Sequence, residues 1–357
     1  MRDLAWLLFV GCGRLQFDGS GDAAHDGDPA TTDARMCTTA DVRYDAWGSG
    51  TANDPYRLCS AGQWIDLANH PEAWGAAIQL AADIDLGAIA GDHLPIGTMT
   101  MPFTGGMDGG GHVVIGYRNQ SGASYLGLFG YVGAGATIHD LAVRDVDVLS
   151  SEEAGGLIGY LGASTVQRVA SFGPGCYVRS TGYANHKGGL IGETATGAIV
   201  EDVFSNCRLG GRGNGVAGLI GHNDGTLARG YYEHSTDPVT GSGKAGGLIG
   251  WNFQNAAVSD TFVSSDVEGS EPSTDVALHI GVESGMDTGS YFDSQRMVTN
   301  IDAGGGTTTN GIAVDTVSAP GYFFEAGNLP MSRWDFTTVW KARPGAYPIL
   351  GYLDGKI

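Results

Sequence analysis

The sequence has few charged residues, and those it has are mostly acidic. Lysine and arginine together number 19 against 39 aspartates and glutamates, so the formal net charge at pH 7 is −20. Nucleic-acid binding needs a basic face that neutralises phosphates, and the sequence contains no cluster of lysine or arginine. We therefore expect no nucleic-acid partner. Such acidity is typical of a solvated extracellular surface.

Motifs that carry chemistry are also missing. None of the nine histidines belongs to an HExxH metallopeptidase motif, and neither a GxSxG nucleophile elbow nor a CxxC pair occurs. The sequence therefore predicts no catalytic residue, no metal site and no cofactor, and we expect a protein that is not an enzyme.

Long stretches with helical periodicity are absent, whereas glycine is abundant, at 60 of 357 residues. Hydrophobic residues make up 42% of the chain, which is too many for a disordered protein. Glycine does not recur at every third position, which excludes collagen. The composition favours an all-β chain of many short strands, with glycine at tight corners that need a positive φ.

A short apolar phrase closed by glycine recurs through the middle of the chain. Its leading leucines are 29, 33, 29 and 29 residues apart, and a weaker sixth copy follows 30 residues later. One repeat of this length cannot bury its own apolar face, so we predict that the copies stack into a β-solenoid. The copies lie at 128–130, 157–159, 190–192, 219–221, 248–250 and 278–281.

A second strand follows each phrase, and its third residue alternates in charge. In a parallel stack these residues would lie about 4.8 Å apart, so each charge would pair with both of its neighbours. Each pair would contribute ~0.2–1 kcal/mol and would disfavour a slip by one turn. This predicted structural charge ladder consists of Asp140, Arg168, Asp202, Arg229 and Asp260.

The residue after each closing glycine forms a second column, rich in aromatic side chains. Such a column, if it faces outward, can stack on sugar rings or contact a protein. The alternative, that these side chains cover a corner or pack under a loop, stays open. We call this set the outer column; its members are Tyr131, Tyr160, Glu193, His222 and Trp251.

The N-terminus is typical of an exported protein. Residues 1–12 combine a charged start, a short apolar run and a small residue before Cys12, which resembles the lipobox of bacterial lipoproteins. Residues 13–36 are acidic and nearly free of apolar side chains, as in a flexible tether. We expect attachment of the protein to a membrane, with the outer membrane favoured, through a lipid on Cys12.

The four remaining cysteines predict two disulfides. An even number of cysteines in an exported protein is typical of a disulfide framework, although three pairings are possible. Cys176 and Cys207 follow equivalent strands of consecutive repeats, so we favour a bond between them. Proximity along the chain likewise favours a bond between Cys37 and Cys59.

The repeats resemble a known family. The phrases at 155–159, 188–192 and 246–250, each followed by a V-x-[DR] strand, resemble the GLUG motif of bacterial surface proteins. That group includes filamentous-haemagglutinin-like adhesins and some IgA-peptidase-type exoproteins. The segments at 48–56, 80–86, 290–293 and 334–340 resemble the leader and closing segments of this family. The resemblance covers roughly residues 44–350, although the family commonly has asparagine where this chain has its charge ladder.

The resemblance implies a right-handed parallel β-helix, or a similar β-solenoid, at the cell surface, and it implies no catalytic residue. We expect an N-terminal capping region with the first strands at 37–124, GLUG-type repeats at 125–295 and a C-terminal capping segment at 296–357. In the first region, Ser60 and Gln63 predict a capping box and a helix to about Asn69 that covers the first turn. Trp334, Phe336 and Trp340 are predicted to cover the other end.

The favoured function is that of a non-catalytic, surface-exposed lipoprotein that acts as an adhesin-like or scaffold protein and binds glycans or cell-surface proteins. A carbohydrate-active enzyme, such as a polysaccharide lyase or glycosidase, is the first alternative, because β-helices often carry such sites. The candidate acids for it, Asp140, Asp202 and Asp260, alternate with arginines that would neutralise them. A non-catalytic glycan-binding module is the second alternative.

Overall fold

A computed structural model of the chain describes residues 38 and 40–357, apart from 270–274 and 300–310. The predicted signal at 1–12 with Cys12, the tether at 13–36 and Cys37 lie outside the described residues. The lipid anchor and the pairing of Cys37 with Cys59 therefore stay predictions.

The protein is a right-handed parallel β-helix of about seven turns, which confirms the predicted fold class. Strands of successive turns pair in parallel and form four sheets, named A to D. A short antiparallel pair, Trp340–Arg343 with Ala346–Leu350, follows near the C-terminus.

Sheet A contains the strands that carry the charge ladder. Its main path comprises Tyr56–Leu58, Ala77–Leu80, Gly106–Ile115, Thr137–Arg144, Thr165–Phe172, Ile199–Ser205, Thr226–Gly241, Phe262–Gly269, Tyr291–Asp293 and Ile312–Val314, with Ile84–Asp85, Ala257–Ser259, Met286–Thr288 and Val298–Thr299 paired alongside.

The other three sheets are narrower. Sheet B comprises Phe129–Val132, Ile158–Leu161, Ile191–Thr194, Ile220–Asn223, Ile249–Asn252 and Ile280–Glu283. Sheet C comprises Arg118–Asn119, Asp147–Ser150, Tyr177–Ala184 and Arg208–Gly213. Sheet D comprises Ala154–Gly155, Lys187–Gly188, Val216–Ala217, Lys244–Gly246 and Asp275–Ala277.

The apolar phrases form the interior of the stack. Ile158 pairs with Phe129 of the preceding turn and Ile191 of the next, so equivalent side chains lie above one another. Leu157 and Ile158 are fully buried, as are their counterparts at 190–191, 219–220 and 248–249. β-Branched and aromatic side chains pack well on a pleated surface, which favours short strands at these positions.

The glycine before each leucine is required for close approach between turns rather than for a positive φ. A Cβ atom at Gly189 would overlap the carbonyl oxygen of Gly218 on the next turn, and one at Gly247 would overlap that of Leu278. Neither of these two glycines has a positive φ. The predicted positive φ is found at other glycines, such as Gly135 and Gly173, whereas contact between turns sets the constraint at Gly189 and Gly247.

Positive φ values also occur throughout the charge ladder, whose residues are not glycine. Its five residues have φ between 52° and 55°, a left-handed conformation that is rare outside glycine, asparagine and aspartate. The strand is thereby kinked, so that Ile138 and Leu141, three positions apart, both enter the core.

Within the described residues there is one α-helix, Ala61–Ala68, near the N-terminal end of the stack. Ser60 caps it as predicted, because its side chain accepts a hydrogen bond from the backbone nitrogen of Gln63 at 3.1 Å. Trp64 and Leu67 are fully buried and belong to the main core. The 3₁₀ helices are Tyr44–Ala46, Pro71–Ala73, Tyr322–Phe324, Met331–Arg333 and Gly351–Leu353.

In the part of the chain that the structure describes, no helix has both the length and the apolar character needed to cross a bilayer.

Ile312–Val314 adds the last strand to sheet A. The C-terminal segment, residues 322–357, then lies along the outer face of this sheet, which corrects the prediction that Trp334 and Trp340 cover the end of the stack. Trp334 packs on Phe262 and Trp340 on Phe204, rings that project outward from the middle of the stack. Farther along, the Tyr352 hydroxyl donates to the carbonyl oxygen of Arg168 at 2.9 Å. The C-terminal segment packs there because the outer face of sheet A carries a column of apolar side chains that would otherwise be exposed to solvent. It contains Ala142, Ala170, Phe204, Tyr231, Phe262 and Tyr291.

The predicted disulfide between Cys176 and Cys207 is present. Cys176 and Cys207 are bonded with a Cα–Cα distance of 4.7 Å, and both are fully buried. Cys207 lies just before the sheet C strand Arg208–Gly213, which pairs with the strand Tyr177–Ala184 that follows Cys176. Stacking of consecutive turns therefore brings the two thiols together, as the repeat spacing predicted.

Candidate functional site

The outer column is continuous on sheet B. Tyr160 pairs with Tyr131 on one side and with Glu193 on the other. His222 continues the column between Glu193 and Trp251. The structure therefore brings together all the residues that the sequence placed in this column.

Aromatic rings stack at both ends of the column. The Tyr131 and Tyr160 rings lie 4.3 Å apart with an interplanar angle of 17°, and Tyr125 meets both edge-on. At the other end, the His222 and Trp251 rings lie 4.8 Å apart at 26°. Because the ring faces contact one another, the column presents ring edges and tyrosine hydroxyls to an incoming partner.

A lysine side chain contacts the end of the outer column that contains Trp251. The Nζ atom of Lys244 lies 3.9 Å from the ring centroid of Trp251, within the range of a cation–π interaction. Phe253 meets the same ring edge-on and is 38% exposed, so this end of the column combines a positive charge with an accessible apolar side chain.

Histidine and glutamate occupy the centre of the column. Nδ1 of His186 is hydrogen-bonded to Oε2 of Glu193 at 2.7 Å, and Nδ1 of His222 lies 3.8 Å from Oε1 of Glu193. The two imidazole rings are 4.5 Å apart. We call these three residues the histidine–glutamate cluster. Their ligand atoms all lie within 4.8 Å of one another.

Two further carboxylates border the cluster. Oε1 of Glu153 lies 3.9 Å from Nδ1 of His186, and Oδ1 of Asp224 lies 3.3 Å from Nε2 of His222. Burial raises the pKa of Glu153, and the charge of Glu193 adds to that rise. Burial alone would raise the pKa of Glu193 too, but His186 and His222 outweigh it and lower that pKa to about 2. The site therefore holds a negative charge between two imidazoles.

Sequence reasoning missed His186 and predicted no metal site. His186 precedes the short sheet D strand Lys187–Gly188, whereas Glu193 and His222 belong to sheet B. Its distances from these residues along the chain match no ligand motif. The turn between sheets D and B brings the three residues together, and the repeat pattern contains no signal for that contact.

The charge ladder is stacked as predicted, but each arginine pairs with the ladder aspartate of the preceding turn and not with that of the following turn. Arg168 holds both oxygens of Asp140, with Nε–Oδ1 and Nη2–Oδ2 distances of 2.6 and 2.7 Å. Arg229 holds Asp202 in the same way, at 2.9 and 3.1 Å. Among the described residues no ion pair joins Arg168 to Asp202. The prediction of pairing with both neighbours is wrong, because each guanidinium is directed toward the preceding turn, where it holds one aspartate in a bidentate pair. Arg229 also contacts Glu201 of that turn at 3.1 Å.

The last ladder residue has a partner outside the repeats. Nη1 of Arg333, in the C-terminal segment, donates to Oδ1 of Asp260 at 2.6 Å. For Asp140, burial alone would raise its pKa, but the hydrogen bonds from Arg168 and His139 hold that pKa well below its usual range. The three aspartates that an enzymatic interpretation would use are therefore all paired with arginine.

No family model matches the sequence. Halomucin of Haloquadratum walsbyi is 32% identical to this chain over 161 residues, which is 42% of the chain. A candidate Gly-rich membrane protein of Evansella cellulosilytica is 32% identical over 127 residues, or 34% of the chain. The chain matches 2% and 14% of the lengths of these two relatives.

A solved structure shares the fold. It is a candidate immunoglobulin A1 protease of Bacteroides ovatus, with a TM-score of 0.67 and 21% sequence identity. The similarity covers 85% of this chain and 94% of that chain. At this identity the likeness establishes the β-helix fold.

Proposed function

We propose that the protein is exported to the cell envelope, is held there by a lipid on Cys12, and acts as a non-catalytic surface protein. In this proposal the β-helix is a rigid, adhesin-like scaffold, and the outer column is its contact surface for glycans or for proteins of the cell surface.

The observation that carries this proposal is a contrast between two aromatic columns. The C-terminal segment covers the column on sheet A, where Phe204 and Tyr231 are both 2% exposed. The ring contacts of the outer column, by contrast, come only from residues between 125 and 253 within the described chain. Tyr131, Tyr160 and Trp251 stay half-buried, and an accessible aromatic column is a common feature of binding surfaces.

Envelope location is supported by sequence. The N-terminal pattern that ends at Cys12 favours export and lipid attachment. One relative is halomucin and the other is named as a membrane protein, and the second name agrees with an envelope location. The strongly acidic composition suits a solvated surface.

The pairing of the ladder aspartates supports a non-catalytic role. A glycosidase needs two carboxyl groups that are free to act as acid and base or nucleophile. Asp140 and Asp202 instead each accept a bidentate arginine, and Asp202 also accepts the indole N–H of Trp340.

A glycan array and a cell-binding assay with the purified chain test the contact surface. We expect Tyr160→Ala and Trp251→Ala to weaken binding while the unfolding transition is nearly unchanged. The matched control is Tyr177→Ala, a half-buried tyrosine on sheet C. Equal binding by wild type and both column variants in both assays would contradict the proposal.

Two further measurements test the remaining parts. A clickable fatty acid should label the chain in cells, and Cys12→Ala should abolish the label. Incubation with acidic and neutral polysaccharides should give no cleavage. Turnover that Asp202→Asn removes from a folded protein would overturn the non-catalytic assignment.

A further inference from the structure

We propose that His186, Glu193 and His222 bind a Zn²⁺ ion, or a chemically similar divalent transition-metal ion, on the outer face of sheet B. This metal site lies within the outer column, because Glu193 and His222 belong to both, but the metal assignment does not rest on the binding of glycans or proteins by that column. Zinc binds histidine nitrogens and carboxylate oxygens at ~2.0–2.2 Å, which places neighbouring ligand atoms about 3–3.5 Å apart. The ligand atoms of the cluster already lie within 4.8 Å of one another, so small side-chain rotations suffice.

The backbone holds these ligands in place. Glu193 and His222 are register partners on adjacent sheet B strands, so strand pairing fixes their separation. His186 reaches them from the residue before the sheet D strand Lys187–Gly188, which pairs on both sides. A site built on paired strands needs little reorganisation to bind its ion.

The donor set selects the class of metal. Two imidazoles and one carboxylate suit zinc and related transition metals, whereas calcium and magnesium prefer an all-oxygen environment. The side chains of His186, Glu193 and His222 are 14%, 20% and 11% exposed. This exposure leaves room for water as a fourth ligand.

His222 has the surroundings of a metal ligand. Both of its ring nitrogens are buried without a hydrogen-bond partner in the described structure, which is unusual for an imidazole. Its Nδ1 atom faces Glu193, and its Nε2 atom lies 3.3 Å from Oδ1 of Asp224. A metal-binding histidine commonly directs its second nitrogen to a carboxylate, which fixes the tautomer and the ring. A metal on Nδ1, with Nε2–H directed at Asp224, would satisfy both nitrogens.

A second group of similar composition provides the control. Asp108, His139 and Asp140 also place three ligand atoms within 4.8 Å of one another. There, however, the guanidinium of Arg168 occupies both oxygens of Asp140. A positive charge in that position opposes a cation, so we expect no metal at this second group.

Cobalt spectroscopy tests the assignment on the tag-free, full-length chain in detergent after treatment with EDTA. Added Co²⁺ should give the visible absorption of a four-coordinate site with a stoichiometry of one, and Zn²⁺ should displace it. His222→Ala and His186→Ala should abolish this absorption, and His139→Ala should leave it intact. Glu193→Gln, which keeps the size of the side chain, should lower the affinity for Zn²⁺ at least about tenfold in equilibrium dialysis.

Circular dichroism of each variant shows whether the β-helix is intact. Folded wild-type protein with no Co²⁺ absorption would overturn the proposal, as would a signal lost in His139→Ala but kept in His222→Ala. Glycan or cell binding that is unchanged by EDTA would leave the metal assignment in place, because the two roles have separate readouts.

Discussion

The indole nitrogen of Trp340 donates a hydrogen bond to Oδ1 of Asp202 across 138 residues of sequence, at 2.9 Å. Asp202 also accepts two hydrogen bonds from the guanidinium of Arg229 on the next turn. One carboxylate therefore connects the charge ladder to the C-terminal segment. Trp340 is 2% exposed, and its ring lies 4.5 Å from that of Trp334. The segment is thus bound to the middle of the stack, and not only to its end.

Removing the Trp340 ring should destabilise the whole β-helix. Trp340→Ala loses a buried aromatic side chain and should lower the free energy of unfolding by about 3–5 kcal/mol. Trp340→Phe keeps most of the apolar contact but leaves Asp202 without this donor, at a cost of about 1–3 kcal/mol. Urea unfolding followed by circular dichroism measures both. Lys341→Ala, exposed on the same strand, is the control and should change the free energy by less than ~1 kcal/mol. Equal values for all three variants would show that the C-terminal segment does not hold the stack.

The one-sided pairing of the charge ladder can be measured by double-mutant cycles. Asp140→Asn combined with Arg168→Gln should give a coupling energy of about 0.5–1 kcal/mol, which decreases as salt is added. The same arginine variant combined with Asp202→Asn should give a coupling within ~0.3–0.5 kcal/mol of zero. Equal couplings in the two cycles would mean that Arg168 is shared between its neighbours.

Sequence patterns predicted the contacts between equivalent residues of successive turns. The spacing of Leu157 and its counterparts indicated the stack, and it placed Tyr131 above Tyr160 in the correct register. The same spacing predicted the disulfide between Cys176 and Cys207. These features recur with every turn, so each copy of the repeat adds evidence for them.

Contacts that occur only once were not predictable in this way. The path of the C-terminal segment depends on Trp340 meeting Asp202, and the histidine–glutamate cluster depends on one turn before Lys187. Lys187 itself is fully buried, and burial lowers its pKa to about 7. Its Nζ atom donates to Oγ of Ser180 at 2.7 Å. No periodic pattern indicates a buried lysine at a position where other turns have alanine or valine.

Glu233 should make the protein less stable as the pH rises. Burial raises its pKa to about 7, although Asn206, Arg296 and Arg343 oppose the rise. In the unfolded chain this carboxyl ionises near pH 4.5, so between about pH 4.5 and 7 the folded state binds more protons than the unfolded state. The contribution of Glu233 to stability is therefore full below this range and is lost as the pH rises through it.

The variant Glu233→Gln should remove this dependence and stabilise the protein at pH 7.5 by about 1–3 kcal/mol. Thermal or urea unfolding of wild type and variant between pH 4 and 8 measures the difference. Glu72→Gln removes an equal charge from an exposed position and should show no such divergence. Parallel pH profiles for wild type and Glu233→Gln would contradict the assignment.

Because adjacent turns approach closely at Gly189, we expect a substitution there to destabilise the protein. A Cβ atom there would overlap the carbonyl oxygen of Gly218 and would also approach the Ser205 hydroxyl. Backbone cannot move aside as a flexible side chain does, so adjacent turns would have to separate and weaken their hydrogen bonds. Gly189→Ala should therefore cost ~1–3 kcal/mol or more, as expected of overpacking, even though alanine suits the local φ.

Gly182 provides the matched comparison, because a Cβ atom there meets nothing within 4 Å and its φ is not positive. Gly182→Ala should be neutral, or slightly stabilising because it reduces the freedom of the unfolded chain. Urea unfolding of the two variants shows whether the glycine before each leucine is required for contact between turns or for its backbone conformation. If the two substitutions had the same effect, the glycine before each leucine would be required for its backbone conformation rather than for contact between turns.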